Sequence, residues 1–464
     1  MLMHRSPVIA VFDIGKTNKK IILFDQSYRV VAQQNEQLEE TVDEDGYPCE
    51  DIRALSLWIH QKLDWAQGLG SVRVRCANFS AYGASLVPVN KLCQPVGLLY
   101  NYLKPLDETL RNSFYAKYGG QEEFSRATAS PVLGNLNSGL QIYRLKNEKP
   151  ELFSKADYFL HLPQYLSSIL TTTPFSELTS IGSHTALWNF DTGRYHQWVT
   201  GETVLEKLAP LTDSGHVCPV RWADHQLSSG IGLHDSSAAL IPYLLFDKEP
   251  FVLLSTGTWS ISLNPFNHET LTQKELNQDC LCYLDFKGKP VKASRIFSGH
   301  DHQQQIKRLS GHFLVQEERF RTVQYNPEIL SGIPAASSGV PDSGLSKGLP
   351  NDCGFGKKEL SDYSDYDAAY HGLIQDLITQ QVCSTNLAIG HSKPKHLYVD
   401  GGFSRNELFM NMLAAQYPDC KVYAAELAQA SALGAALAVH QAWNDAPVPA
   451  NLIGLKRYPA GNLD

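Results

Sequence analysis

Residues 11–25 read VFDIGKTNKKIILFD, and Gly15-Lys16-Thr17 within them is the tripeptide that closes a P-loop. A P-loop also needs a glycine five residues before Gly15, so that successive N–H groups wrap the phosphates, and a helix directly afterwards. Position 10 is Ala, inside an apolar run, and Lys20-Ile21-Ile22-Leu23-Phe24 is β-like. The stretch is therefore a strand, a tight turn and a second strand. Residues 8–12 are one continuous apolar run, 20–24 another, and Asp25-Gln26-Ser27 turns the chain into a third strand at 28–32. Asp13 ends the first buried strand, which holds its carboxylate at a fixed point. Gly15 lets the backbone turn, and Lys16, Thr17, Asn18, Lys19 and Lys20 supply donors and positive charge. A hairpin of this kind can hold phosphate oxygens with N–H and hydroxyl groups while the Asp holds a metal through water. An ordinary surface hairpin is the competing reading.

The pattern returns far downstream. Residues 251–266, FVLLSTGTWSISLNPF, are an apolar strand, a Thr-Gly-Thr turn and the alternating run Trp259-Ser260-Ile261-Ser262-Leu263. Two strand–glycine turn–strand units suggest two related halves, able to grip a polyphosphate from both sides. The boundary is expected near 241–250, where Ile241-Pro242 and Lys248-Glu249-Pro250 interrupt the pattern. Further on, apolar positions at helical spacing predict a helix over 366–388 with Gly390 as its C-terminal cap. A buried strand at 396–399 runs into Asp400-Gly401-Gly402, a helix begins near Asn406, and a strand at 421–425 precedes a small-residue helix at 430–443. This alternation is α/β. The segment 331–356, rich in Gly, Pro and Ser, is expected to be a long surface loop.

The 464 residues suggest two domains, and 43% hydrophobic with 19% charged residues is an ordinary globular balance. A net charge of −8 gives no support for a nucleic-acid partner. The nine cysteines are scattered without a CxxC pair, so Cys280 and Cys282 and the rest are expected to be reduced thiols of a cytoplasmic protein. Neither a signal peptide nor a membrane span is expected from the apolar runs.

Three further stretches carry possible chemistry. Asp235, in Gly232-Leu233-His234-Asp235-Ser236-Ser237, precedes a small-residue helix. It is either an N-cap or a general base for a substrate hydroxyl. Gly401-Gly402, between a strand and a helix, allow close approach of a ring or phosphate. His300-Asp301-His302 could suggest a metal, but i, i+2 spacing does not converge on a helix, and Asp301 as a helix cap is the favoured reading.

Taken in order, these pieces resemble the FGGY family of carbohydrate kinases over nearly the whole chain. The first phosphate motif is carried by residues 12–20, FDIGKTNKK, and the catalytic motif by 232–238, GLHDSSA. The second phosphate turn is at 255–260, STGTWS, the adenosine motif at 400–406, DGGFSRN, and the terminal motif at 430–436, ASALGAA. The His-Asp pair and STGTWS together are most similar to the rhamnulokinase and fuculokinase branch. The resemblance implies two actin-like (ribonuclease H-like) ATPase domains with an interdomain cleft. Residues 1–245 would bind the sugar and 246–464 ATP. It implies Asp235 as general base, and Asp13 with Asp235 as the residues near Mg²⁺. It places Gly15, Thr17, Asn18 and Lys20 near the transferred phosphate, Gly257 and Thr258 on the ATP phosphates, and Gly401, Gly402 and Asn406 around adenosine. Tyr82, Gly83, Ser85 and His234 would touch the sugar. Ser85 stands where this branch carries an Asp, and a hydroxyl cannot accept a diol's two strong hydrogen bonds as a carboxylate does. Lys16 and Asn18 also depart from the family's small hydroxyl residues. The implied activity is ATP-dependent phosphorylation of a ketose or deoxyketose hydroxyl, with a small-molecule sugar as partner and a possible homodimer. A non-kinase actin-like ATP-binding protein and a catalytically silent sugar sensor are the alternatives.

Overall fold

The computed structural model describes residues 5–333, 353–427 and 429–460. The chain forms two compact units, one of Met1–Phe246, Cys282–Pro290 and Gln429–Leu452, the other of Asp247–Leu281, Val291–Ala428 and Ile453–Asp464. Two later segments thus group with the first unit, which a division in chain order does not anticipate.

The first unit is built on the hairpin of the opening stretch. Strand Ser6–Ile14 pairs antiparallel with Lys19–Asp25, Asp13 opposite Lys20. It pairs in parallel with Val72–Ala81 on its other side, Asp13 opposite Ser80. The sheet runs Val217–Trp222, His225–Gly230, Val72–Ala81, Ser6–Ile14, Lys19–Asp25, Val30–Glu36, and the short Leu233–His234 also pairs with Val72–Ala81. Because the central strand is covered on both faces, it reads as a continuous apolar run rather than an alternating one. Phe12 is fully buried and stacks on Phe79, with ring centroids 5.3 Å apart, while Trp58 of the helix Ile52–Gly68 meets it edge-on. Burying one such ring stabilises by about 1.5–3 kcal/mol. Asp51 starts that helix by accepting the Arg53 and Ala54 N–H groups.

The second unit repeats the plan. Phe251–Thr256 pairs antiparallel with Ser260–Asn264 and in parallel with His396–Gly401. Lys421–Glu426 and Gly454–Tyr458 extend the sheet on one side and Pro290–Ile296 on the other. Helix Tyr366–Ile389, N-capped by Asp365 and ended by Gly390 at φ +54°, covers it as its apolar spacing predicts.

Four expectations shift. The third strand is Val30–Glu36, not 28–32. The Asp25 carboxylate accepts the Ser27 and Arg29 N–H groups, and this Asx turn holds Tyr28 at φ +62°. Ile241-Pro242 does not interrupt the chain, since helix Asp235–Phe246 runs through it. Pro242 has no N–H for the Ala238 carbonyl one turn back, and Gly434 packs directly against that carbonyl. The small-residue helix ends at Ala438, and His440–Ala442 continues it as a 3₁₀ turn. Of the loop expected at 331–356, helix Pro327–Gly332 takes the start and a 3₁₀ turn Gly354–Lys357 the end, while 334–352 lie outside the described residues. Among the described residues none of the nine cysteines forms a disulfide. Among the described residues no helix is long and apolar enough to cross a membrane.

Candidate functional site

In the first unit the turn after Asp13 is closed by a hydrogen bond from Gly15 N to Asn18 O, 2.9 Å. Thr17 and Asn18 are exposed at its tip, and no helix follows, so the P-loop reading fails on geometry as it did on sequence. Lys20 Nζ reaches Gln429 Oε1 at 3.3 Å. Lys19, only 2% exposed, lies under the turn and donates to the Gly15 and Lys16 carbonyls, each at 2.9 Å, and to Glu50 Oε1 at 3.1 Å. With the loop carbonyls drawn down onto this ammonium, the turn's N–H side is left for a ligand.

Asp13 Oδ1 accepts from Ser431 Oγ at 3.0 Å. Burial raises its pKa above the usual carboxylate value; the Ser431 hydrogen bond opposes this, and the charge of Asp235 adds to it. Asp13 and Asp235 are therefore brought within electrostatic reach of each other, although 222 residues separate them in the chain. The Asp235 side chain is 37% exposed. Its Oδ1 accepts from Ser236 N at 2.6 Å and lies 3.3 Å from His234 Nδ1. An N-cap accepts from the second or third N–H of its helix, not from the next residue, so the capping reading of Asp235 does not hold. Oδ2 has no hydrogen-bond partner among the described residues.

His234 is buried, which lowers its pKa and keeps the ring neutral despite Asp235 beside it. Ser236 N–H donates to Nδ1 at 3.2 Å, and Nε2 stands 3.0 Å from Ser183 Oγ. Its backbone N–H is held by Thr179 Oγ1 at 2.9 Å. Gly83 packs against the Nε2–Cδ2 edge of this ring: a Cβ there would lie 2.4 Å from His234 Nε2 and 2.7 Å from Cδ2. Gly83→Ala is accordingly expected to displace His234 and the adjoining Asp235, lowering kcat/KM about tenfold or more. Steady-state kinetics checks this, and unchanged kcat/KM would show that the ring does not set Asp235. Ser85 is 2% exposed and lies beside Tyr82. Tyr82 donates to Glu50 Oε1 at 2.8 Å, and Tyr102 packs edge-on against its ring.

In the second unit, Gly257 and Thr258 are exposed in a turn closed by Gly257 N to Trp259 O, 2.9 Å. Helix Ser298–Phe313 abuts this turn through His300 N to Thr258 O, 3.2 Å. Trp259 meets Phe297 at a tilt of 47° and Phe297 stacks on His300, with Arg295 over the Trp259 ring. The 299–302 segment thus braces the turn. Asp301 is not a cap of its helix, because that helix begins before it; its carboxylate instead accepts Cys353 N at 3.0 Å. His302 is partly buried, desolvation pushes its pKa down to about 4, and Nε2 meets Tyr370 Oη at 3.0 Å. Among the described residues no three His, Cys, Asp or Glu side chains group as a metal site.

Gly401 and Gly402 are stitched to the strand end at Thr256. Gly402 N donates to the Thr256 carbonyl at 2.9 Å, and Phe403 N to Thr256 Oγ1 at 3.0 Å. Beside them lies a cavity of about 810 Å³ lined by Gly257, Gly299, His302, Phe320, Arg321, Gly402, Phe403 and Asn406. Asn406 borders it, but its amide is engaged: Nδ2 donates to Tyr370 Oη at 2.7 Å and Oδ1 accepts Phe409 N as the cap of helix Glu407–Gln416. Asn406 thus shapes the cavity wall, with one Nδ2 hydrogen and one Oδ1 lone pair used within the protein. Sequence reading missed Glu50, Tyr102, Phe320 and Arg321; it named Lys19 as a donor and His302 in a possible metal pair, but neither as support of the turn nor as cavity wall. Ser431 lay within the terminal motif but had no role assigned.

Two α/β units, each an antiparallel hairpin flanked by a parallel strand, define the actin-like ATPase fold. Residues 8–236 match the N-terminal domain of the FGGY family of carbohydrate kinases and residues 248–447 its C-terminal domain. The chain belongs to this family. A rhamnulokinase from Klebsiella pneumoniae is 26% identical over 246 residues, 51% of this chain and 49% of that protein. One from Bacillus subtilis is 32% identical over 134 residues, 26% of each chain. The alignments therefore span about half or less of these curated relatives. Among solved structures, a carbohydrate kinase from Novosphingobium aromaticivorans superposes with a TM-score of 0.80 at 21% identity, covering 98% of this chain and 97% of that one. A xylulose kinase from Lactobacillus acidophilus gives 0.77 at 16% identity, covering 98% and 94%. At these identities the likeness is one of fold.

Proposed function

We propose that the protein is an ATP-dependent sugar kinase acting on a neutral ketose or deoxyketose, of the L-rhamnulose or L-fuculose type or a related ketose. The observation that carries this is Asp235. Its carboxylate is half-exposed at a helix start, held at one oxygen by Ser236 and braced by a neutral His234, with Oδ2 free to accept a hydroxyl proton. On this reading Asp235 orients the acceptor hydroxyl and takes its proton as the O–P bond forms. The exposed turns at Thr17–Asn18 and Gly257–Thr258, with Lys20, offer donors to phosphate oxygens. The nucleotide is assigned to the cavity beside Gly402, with Phe320 and Phe403 as apolar wall. Most of the acceleration then comes from positioning and charge stabilisation.

Asp13 and Asp235 fit a hard divalent cation. Mg²⁺ is held by one or two carboxylates plus waters and phosphates, and here two carboxylates of raised mutual energy stand near one another. When bound, such a cation offsets the charge on the phosphates. The test is a coupled ATPase assay over 6-deoxyhexuloses, pentuloses and tetruloses. Sugar-dependent ADP release is expected with at least one ketose, and ADP release unaffected by the whole panel would sink the kinase reading.

A further inference from the structure

Glu50 has no place in any recognised motif, yet it is the most connected acidic residue near the candidate sugar wall. It ends strand Pro48–Glu50, pairs in register with Glu40, and is 6% exposed. Among the described residues its hydrogen-bond and ion-pair partners converge on one oxygen. Oε1 takes Tyr82 Oη at 2.8 Å and Lys19 Nζ at 3.1 Å, and Lys16 Nζ stands 3.6 Å away, itself bound to Glu40. A carboxylate this deep is retained only when paired, and the buried Lys19 ammonium supplies that pairing. Oε2 is different, with no hydrogen-bond partner among the described residues and no place among the buried polar atoms that lack one, so it remains open to a ligand.

Its surroundings connect it to the chemistry. Tyr82, which fixes Oε1, precedes Gly83, and Gly83 packs on His234, the neighbour of Asp235. Tyr102, edge-on to Tyr82, lies within electrostatic reach of Lys16, Glu50 and Asp235. Ser85, standing where a carboxylate was expected, is buried beside Tyr82, and its single hydroxyl cannot accept a diol's two strong hydrogen bonds as a carboxylate does.

We propose that Glu50 is a specificity-determining residue of the sugar site, its free Oε2 accepting hydroxyl groups of the acceptor sugar and replacing the carboxylate absent at position 85. This rests on the kinase reading above. An ionised carboxyl is acceptor-only, so it takes hydroxyl hydrogens and meets a substrate carboxylate oxygen to oxygen. The substrate class is therefore a neutral polyhydroxy ketose, with aldonic acids disfavoured.

The test compares wild type with Glu50→Gln on ketoses and aldonates. The expected result is a rise in ketose KM of roughly ten- to a hundredfold, the worth of a hydrogen bond to a charged group. The melting temperature should fall, because Lys19 loses its buried counter-charge, while ATP KM rises far less than ketose KM and the preference for ketose over aldonate narrows. A purely structural Glu50 would change both KM values in equal measure and leave the ketose-over-aldonate preference as it is. Should Glu50→Gln fold poorly, the wild type is assayed with ketose analogues lacking one hydroxyl at a time. One analogue deoxygenated away from the phosphorylated position is expected to lose at least tenfold in kcat/KM. Unchanged ketose KM in Glu50→Gln, or no such analogue, overturns the Glu50 assignment while wild-type turnover upholds the kinase reading. No wild-type turnover of any ketose overturns both.

Discussion

Asp235→Asn is expected to lower kcat by at least about a hundredfold, the usual contribution of a general base. The substitution is nearly isosteric, so Ser236 N–H still finds an oxygen and the His234 packing on Gly83 has no steric reason to change. What disappears is the one oxygen able to take a proton, because an amide carbonyl has no useful basicity and the amide nitrogen is a donor. Sugar KM is expected to stay within a few-fold, since a hydroxyl can still be held by the amide. The residual rate comes from phosphate positioning and electrostatics, which the substitution leaves in place. Retention of more than about a tenth of wild-type kcat would make the base assignment wrong. The charge lost also removes a repulsion on Asp13, so any defect should lie in chemistry and not in folding.

The second large effect is expected at Gly401. Its φ of +89° is a conformation that L side chains rarely adopt, and a Cβ there would lie 1.9 Å from the Thr256 carbonyl oxygen. That oxygen cannot retreat freely, because it accepts the Gly402 N–H. Backbone strain of about 1–3 kcal/mol adds to an overpacking cost of similar size. Gly401→Ala should therefore destabilise the protein by about 3 kcal/mol or more and weaken ATP binding, measured by denaturant unfolding and nucleotide titration. Gly402→Ala is the control: a Cβ there meets nothing within 4 Å, so stability should change by less than about 1 kcal/mol. A Gly401→Ala protein as stable as the Gly402→Ala protein would refute the close-approach argument.

The two hairpins, the strand into Asp400-Gly401-Gly402 and the helix capped at Gly390 were legible because each is written in neighbouring residues. A buried central strand must be continuously apolar, a tight turn needs glycine, and helical spacing repeats every few positions. The errors also arose locally. An Asx turn at Asp25 delayed a strand, and a proline inside a helix invited a boundary that a glycine on another helix made unnecessary.

The site was legible only where a motif is contiguous. Asp235 stands beside His234 in the chain, and the turns around Thr17 and Thr258 are each one short run. The partners of those residues were not legible. Asp13 is held by Ser431, 418 positions away; Glu50 meets Tyr82 across 32; Asn406 gives its amide to Tyr370 across 36. Residue type alone does not reveal that an Asn caps a helix, that a Ser is buried, or that a Glu keeps one oxygen free. The sequence by itself determined the fold and the order of the motifs, because backbone geometry and burial periodicity are local properties. The tertiary structure alone decided which polar groups remain available to a ligand, because hydrogen-bond saturation and burial depend on neighbours that only the folded chain brings together.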